Sequence, residues 1–132
     1  MTRIRAIAAT GVTAIAFTLY HATLLPGFDF GDTGFLQATV SSATLTPRDG
    51  YPLYFAIGKV FLWLTRAEPA RALNLASAVE AALACGVLTL VAAELTGSTL
   101  AAVAAALFFA GSYTFWSQSK SSAAAKIGRA HV

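Results

Sequence analysis

Two aspartates, Asp29 and Asp32, lie close together in a segment rich in glycine and phenylalanine at residues 26–34. A carboxylate in this setting can serve in catalysis, or it can cap a helix. The following residues, 35–44, are able to form a short helix, so that Asp32 has a structural role available as the N-cap. The residue types alone leave both roles open for Asp32.

A turn-forming cluster follows at residues 46–52, where Arg48 and Asp49 stand between two prolines. The second of these, Pro52, is suited to the first position of a helix. Arg48 and Asp49 have two interpretations. They form a solvated turn, or the Arg48 cation holds a phosphate group at a membrane surface, where a fixed positive charge is needed.

Glu80 lies inside a long apolar stretch, where insertion scales put the cost of a charged side chain at about 2.5–3.5 kcal/mol. We therefore expect Glu80 to face protein or water, either as a functional group or as a packing residue of a larger bundle. Asn74, six residues earlier, does not share its helical face well.

His21 has no partner at metal-ligand spacing, so we predict an interfacial residue and no metal site. Cys85 is the only cysteine and predicts an inert small hydrophobe.

The composition restricts the class of protein. Hydrophobic residues make up 57% of the 132 residues and charged residues 11%, whereas a soluble domain carries about 25% charged residues. The mean hydropathy is +0.66. These values exclude a soluble globular enzyme and a disordered chain. The net charge of +3 is scattered along the sequence without a basic run, so nucleic acid is not an expected partner.

Three stretches, 4–25, 73–95 and 98–117, are long and apolar enough to be transmembrane helices. Arg3 and Arg5 precede the first stretch, which predicts a cytoplasmic N-terminus and an extracytoplasmic loop at residues 26–72. Gly97 and Ser98 predict a tight turn between the second and third stretches. Their many alanines predict a closely packed antiparallel pair. The predicted fold class is an all-α integral membrane protein.

A fourth apolar segment, 52–64, has 13 residues and reaches about 20 Å as a helix, against a hydrocarbon core of about 30 Å. Its length therefore favours a helix at the membrane interface and three spans. Arg66 and Arg71, which follow it, favour a fourth span instead, because basic residues prefer the cytoplasmic side. Its apolar residues recur at helical spacing, with Gly58 and Lys59 off the stripe: Leu53, Ile57, Val60, Phe61 and Leu64.

Four motifs between about residues 24 and 118 together resemble the amino-terminal part of a largely bacterial membrane-protein family. This family is classed as a domain of unknown function and is related to the protein O-mannosyltransferases. The motifs are Thr23-Leu24-Leu25-Pro26 with Phe30-Gly31-Asp32-Thr33-Gly34, Gly50-Tyr51-Pro52-Leu53-Tyr54 with Gly58-Lys59, Arg71-Ala72-Leu73-Asn74-Leu75, and Phe115-Trp116-Ser117-Gln118.

The resemblance implies a fragment of a larger GT-C glycosyltransferase bundle, which moves a mannose-like hexose from a polyprenyl-phosphate carrier on the non-cytoplasmic side. Asp32 matches the acidic residue of the first loop in such enzymes, and the implied role is to accept the proton of the attacking hydroxyl. Our candidate substrate-binding residues are Arg48, Asp49, Tyr51 and Lys59. The expected partners are the lipid-linked sugar donor and membrane lipids of a bacterial inner membrane, with no cofactor.

The sequence also departs from the pattern of the family. Relatives often carry an acidic residue three positions after the matching aspartate and His-Pro-Pro before Gly-Tyr-Pro, where this chain has Phe35 and Pro47-Arg48-Asp49. Asp29 or Asp49 is a possible substitute, and the donor or acceptor can differ. A non-catalytic scaffold or assembly module and a transporter fragment are the alternative functions.

The carboxyl-terminal residues break the pattern after Gln118. We expect residues 1–125 to be the amino-terminal part of a GT-C-like domain, inactive alone because three spans cannot enclose such an active site. Residues 127–132 are what a common sequencing adapter encodes when it is read through, so we predict that 126–132 is an artefact.

Overall fold

The computed structural model describes residues 2–27, 32–42 and 52–120 and is helical in every regular element of those ranges. The helices are α1 (Thr2–Ala22), α2 (Asp32–Thr39), α3 (Pro52–Thr65), α4 (Pro69–Thr96), α5 (Thr99–Gly111) and α6 (Tyr113–Ser119). The predicted all-helical class is confirmed. The predicted artefact at 126–132 lies outside the described residues.

Two helices, α1 and α4, are long and apolar enough to cross a membrane, with 21 and 28 residues. The third predicted span is broken into α5 and α6, which meet at an angle of 67° and form one further candidate span if they are taken together. The break is at Ser112, whose extended backbone ends α5 and whose hydroxyl donates to the Phe109 carbonyl at 2.8 Å. The described chain therefore offers two or three candidate spans, and α3 is shorter than the length required.

Small residues bring α1, α4 and α5 together. A Cβ at Gly86 would clash with Oγ1 of Thr13, so a glycine permits the close crossing of α4 and α1. Alanines at 102, 106 and 110 of α5 are buried at successive turns. Close backbone approach of this kind is how apolar helices associate in lipid, where no hydrophobic force drives them together. The close packing predicted from the alanines is confirmed.

The predicted turn between α4 and α5 is also confirmed. Gly97 has φ 67°, in the left-handed region that favours glycine, and its N–H donates to the Ala93 carbonyl at 3.1 Å. The Ser98 hydroxyl then accepts from the Ala101 N–H at 3.3 Å and caps α5. Near the same end of the bundle, Arg5 forms an ion pair with Glu94.

At the opposite end, which we call the loop end, α1 finishes beside α6 and the start of α4. The Leu25 N–H donates to the Lys120 carbonyl at 3.1 Å, and the Trp116 indole donates to the Thr23 hydroxyl at 2.9 Å. Deeper in the bundle, the Tyr20 hydroxyl donates to the Ala110 carbonyl at 3.0 Å. The first two bonds fix α6 across the loop end, and the third joins α1 to α5.

Helix α3 packs on α4 through Phe55 and Gly58. A Cβ at Gly58 would lie 2.5 Å from Leu73 and 2.8 Å from Val40, so a glycine lets α3 approach both. The apolar stripe predicted for α3 lies on the other face, where the Leu53 side chain is 72% exposed. This outward stripe is the arrangement expected of a helix with one face towards lipid.

Candidate functional site

Two buried amides connect α2, α4 and the segment after α1. Gln37 Nε2 donates to Asn74 Oδ1 at 2.8 Å, and Asn74 Nδ2 donates to the carbonyls of Leu25 and Gly27 at 3.1 and 3.3 Å. Both side chains are fully buried. Because an unpaired buried polar group costs about 1–3 kcal/mol, this amide relay selects one arrangement of the three segments.

The sequence interpretation missed both residues of the relay. Asn74 belongs to one of the motifs that carry the family resemblance, but neither it nor Gln37 was predicted to form a buried contact. A signal for Asn74 was present, because it is a polar residue inside a predicted span and such residues normally face a partner. Gln37 carried no comparable signal, since its partner lies 37 residues away on another helix.

The relay holds the helix on which the predicted catalytic residue lies. Helix α2 begins at Asp32, within one residue of the predicted cap position, which is the usual uncertainty of a helix boundary. Gln37 lies five residues further on, roughly 7 Å along the helix axis. The structure describes the backbone of Asp32 but not its side chain, so the predicted capping and catalytic roles remain predictions.

Three predicted substrate-binding residues, Arg48, Asp49 and Tyr51, lie outside the described residues, as does Asp29. The fourth, Lys59, is described. Its ammonium group donates to the Ser42 carbonyl at 2.8 Å and so ties α3 to the end of the α2 segment. Lys59 thus has a structural contact, while its predicted contact with substrate stays a prediction.

A basic groove opens at the loop end between α1, α3 and α4. Its volume is about 300 Å³, and a neighbouring cavity of about 180 Å³ shares His21, Leu24 and Arg71 with it. Arg71 is exposed and makes no ion pair or side-chain hydrogen bond within 2–27, 32–42 and 52–120. The groove can therefore accept an anion between apolar walls. The sequence indicated Arg71 as a sign of orientation and as part of a family motif, but did not predict its place in a groove.

A second cavity, of about 400 Å³, lies between α3, α4 and α6 and contains Glu80. The Glu80 carboxylate makes no ion pair or hydrogen bond with any residue the structure places. Glu80 was predicted to be either a functional group or a packing residue. It lies on the wall of this cavity. The residues of this acidic cavity are Tyr54, Ser77, Glu80, Ala81, Ala84, Phe115, Gln118 and Ser119.

No group of three or more His, Cys, Asp and Glu side chains that could hold a metal ion occurs in the described part of the chain. Cys85 is buried in the core shared by α1, α4 and α5, where its sulfur lies 3.6 Å from the Tyr20 hydroxyl. Its surroundings are those predicted for a small hydrophobe.

Across the described ranges the architecture is helical, with two or three apolar helices of membrane-spanning length and a short helix anchored at one end of the bundle. Residues 32–124 match the family model of the protein O-mannosyl-transferase TMEM260 N-terminal domain. The chain belongs to this family, and the match confirms the predicted relation to the protein O-mannosyltransferases. The match begins at Asp32 and includes both residues of the amide relay. No curated protein and no solved structure matches the chain.

Proposed function

We propose that the chain is the amino-terminal part of a membrane glycosyltransferase that moves a mannose-like hexose from a polyprenyl phosphate to an acceptor outside the cytoplasm. The family relation supports a transferase of this class. The observation that carries the proposal is the amide relay, because it fixes the helix that begins with Asp32 to the end of α1 and to α4. A site built on anchored helices keeps its geometry during reaction.

In the proposed reaction Asp32 is the general base. A hydroxyl acceptor is a weak nucleophile until a carboxylate takes its proton. The acceptor oxygen bonds to the anomeric carbon of the hexose, the bond from that carbon to the phosphate oxygen breaks, and the phosphate leaves with the electron pair. The proton passes to the Asp32 carboxylate.

The basic groove supplies a place for the phosphate of an anionic membrane lipid. Arg71 offers a guanidinium that is permanently charged and able to form two parallel hydrogen bonds to phosphate oxygens. Leu24 and Leu75 line the same groove, and such apolar walls suit the first part of the lipid's hydrocarbon chain. Arg48 and Lys59 are the candidates for the phosphate of the sugar donor.

The proposed orientation places the loop end outside the cytoplasm of a bacterium, with the donor in its inner membrane. Arg3 and Arg5 precede the apolar part of α1 at the other end, and basic residues favour the cytoplasmic side. The loop end, with Arg71 and the start of α2, then lies at the outer surface, where a lipid phosphate is within reach.

The proposal is tested with Asp32→Asn in the full-length protein that contains this chain. We expect transfer from polyprenyl-phosphate mannose to fall by about 10²–10⁴-fold, the usual contribution of a general base. Glu68→Gln is the matched control, because Glu68 is an exposed acid before α4, and it should leave transfer unchanged. Wild-type transfer rates in Asp32→Asn would remove Asp32 from the reaction. An inactive wild type would favour a scaffold module or a transporter fragment.

A further inference from the structure

The acidic cavity contains two polar groups that the described chain leaves without partners. Oε1 of Gln118 is buried and accepts no hydrogen bond from any described residue. The Glu80 carboxylate also lacks a partner within the same ranges. A buried acceptor without a donor, such as Oε1 of Gln118, costs about as much as a lost hydrogen bond, whereas Glu80 is exposed and presents its carboxylate on the cavity wall. Both groups are therefore suited to a ligand that brings hydrogen-bond donors.

The size and the walls of the cavity also suit a small ligand. Its volume of about 400 Å³ falls within the range of about 300–1,000 Å³ that is common for small-molecule sites. Ala81 and Ala84 keep the α4 side of the cavity open, while Phe115 supplies an aromatic ring. Acceptor groups next to an aromatic ring match a sugar, which has donor hydroxyls around its edge and C–H groups on its face.

The position of the cavity connects it with the proposed site. Asn74 of the amide relay and Ser77 of the cavity are three residues apart on α4, and residues at this spacing are neighbours on one face of a helix. On the α3 side, Tyr54 lines the cavity and also packs against the cluster that holds Leu36 of α2. The cavity thus lies next to the helix that Asp32 begins.

We propose that the acidic cavity binds the hexose of the donor, with Glu80 and Gln118 accepting hydrogen bonds from its hydroxyl groups. The inference rests on the proposed function for the identity of the ligand and adds a sugar subsite to it. Glu80 and Gln118 are binding residues here, and the proton transfer remains with Asp32.

The test measures binding without turnover. Purified full-length protein is titrated with polyprenyl-phosphate mannose and, separately, with polyprenyl phosphate that carries no sugar. We expect Gln118→Leu and Glu80→Gln each to weaken binding of the mannosyl lipid at least tenfold while binding of the sugar-free lipid stays unchanged. Thr114→Val is the control on α6, because Thr114 is exposed and does not line the cavity, and it should bind both lipids as the wild type does.

Glu80→Gln keeps the shape of the side chain, so it remains informative if Gln118→Leu does not fold. The sugar subsite is overturned if the variants weaken binding of both lipids equally, or if neither variant weakens binding of the mannosyl lipid. The two proposals fail separately. A wild type that binds the mannosyl lipid through Gln118 and transfers no sugar contradicts the proposed function alone. Transfer and mannosyl-lipid binding that both survive the cavity variants contradict the subsite alone.

Discussion

Asn74 combines more contacts between separate segments than any other polar side chain discussed above. Through its amide it accepts from Gln37 of α2 and donates to two carbonyls of the segment after α1. Each of these groups is removed from water, so each needs its partner. At the residue scale, the geometry of the loop end therefore depends on one amide inside an apolar helix.

Asn74→Leu should lower the free energy of unfolding by about 1–3 kcal/mol, because it removes the acceptor of Gln37 and leaves two carbonyls unpaired. Thermal unfolding in detergent measures the loss. Gln37→Leu should be destabilising on its own, and the double variant should lose less than the sum of the two single losses, because residues in one network couple. Strictly additive losses would show that the two amides do not act together.

At the scale of the helices, glycine decides how closely α3 approaches its neighbours. Gly58 lies against Leu73 of α4 and Val40 beyond α2. These two residues form a buried cluster with Leu36 and Phe55. The outer face of α3 keeps its apolar stripe exposed. The helix thus joins the two segments that carry the relay without extending far enough to span a membrane.

Gly58→Ala should destabilise the protein by about 1–3 kcal/mol, as overpacking of a filled core does. Its Cβ would lie 2.5 Å from Cδ2 of Leu73, so that the leucine and Val40 have to shift. Gly11→Ala in α1 is the control, since nothing lies within 4 Å of that position. A helical alanine in open space should be neutral or stabilising by up to about 1 kcal/mol. Equal unfolding temperatures for the two variants would contradict the close approach of α3.

The whole molecule was predictable where local pattern decides the structure. Hydropathy predicted the long helices, and Gly97 with Ser98 predicted the turn between α4 and α5. The break at Ser112 was not predicted, because one extended residue between two apolar helices leaves the hydropathy of the stretch unchanged. The relay and the acidic cavity were missed for another reason: their residues come from separate helices, and only the packing brings them together.

The path of the chain also bears on the number of spans. Asn74, near the start of α4, donates to the carbonyl of Leu25, just after α1. Helix α4 therefore begins at the end of the bundle where α1 finishes, and the chain between them starts and ends on one side. A crossing by α3 would bring the chain to the opposite side before α4. This favours the three-span prediction over the four-span alternative.

Single cysteines labelled by a membrane-impermeant maleimide test this orientation in intact cells. Glu68→Cys, before α4 at the loop end, should be labelled from outside, whereas Leu95→Cys, in the last turn of α4, should be labelled only after permeabilisation. Both positions are exposed, and the native Cys85 is fully buried and should contribute little background. Four spans with a cytoplasmic N-terminus require the reverse pattern, because α3 would then carry the chain back into the cytoplasm before Glu68. The side on which Glu68→Cys reacts therefore separates the two topologies and also fixes the membrane face on which the proposed transfer takes place.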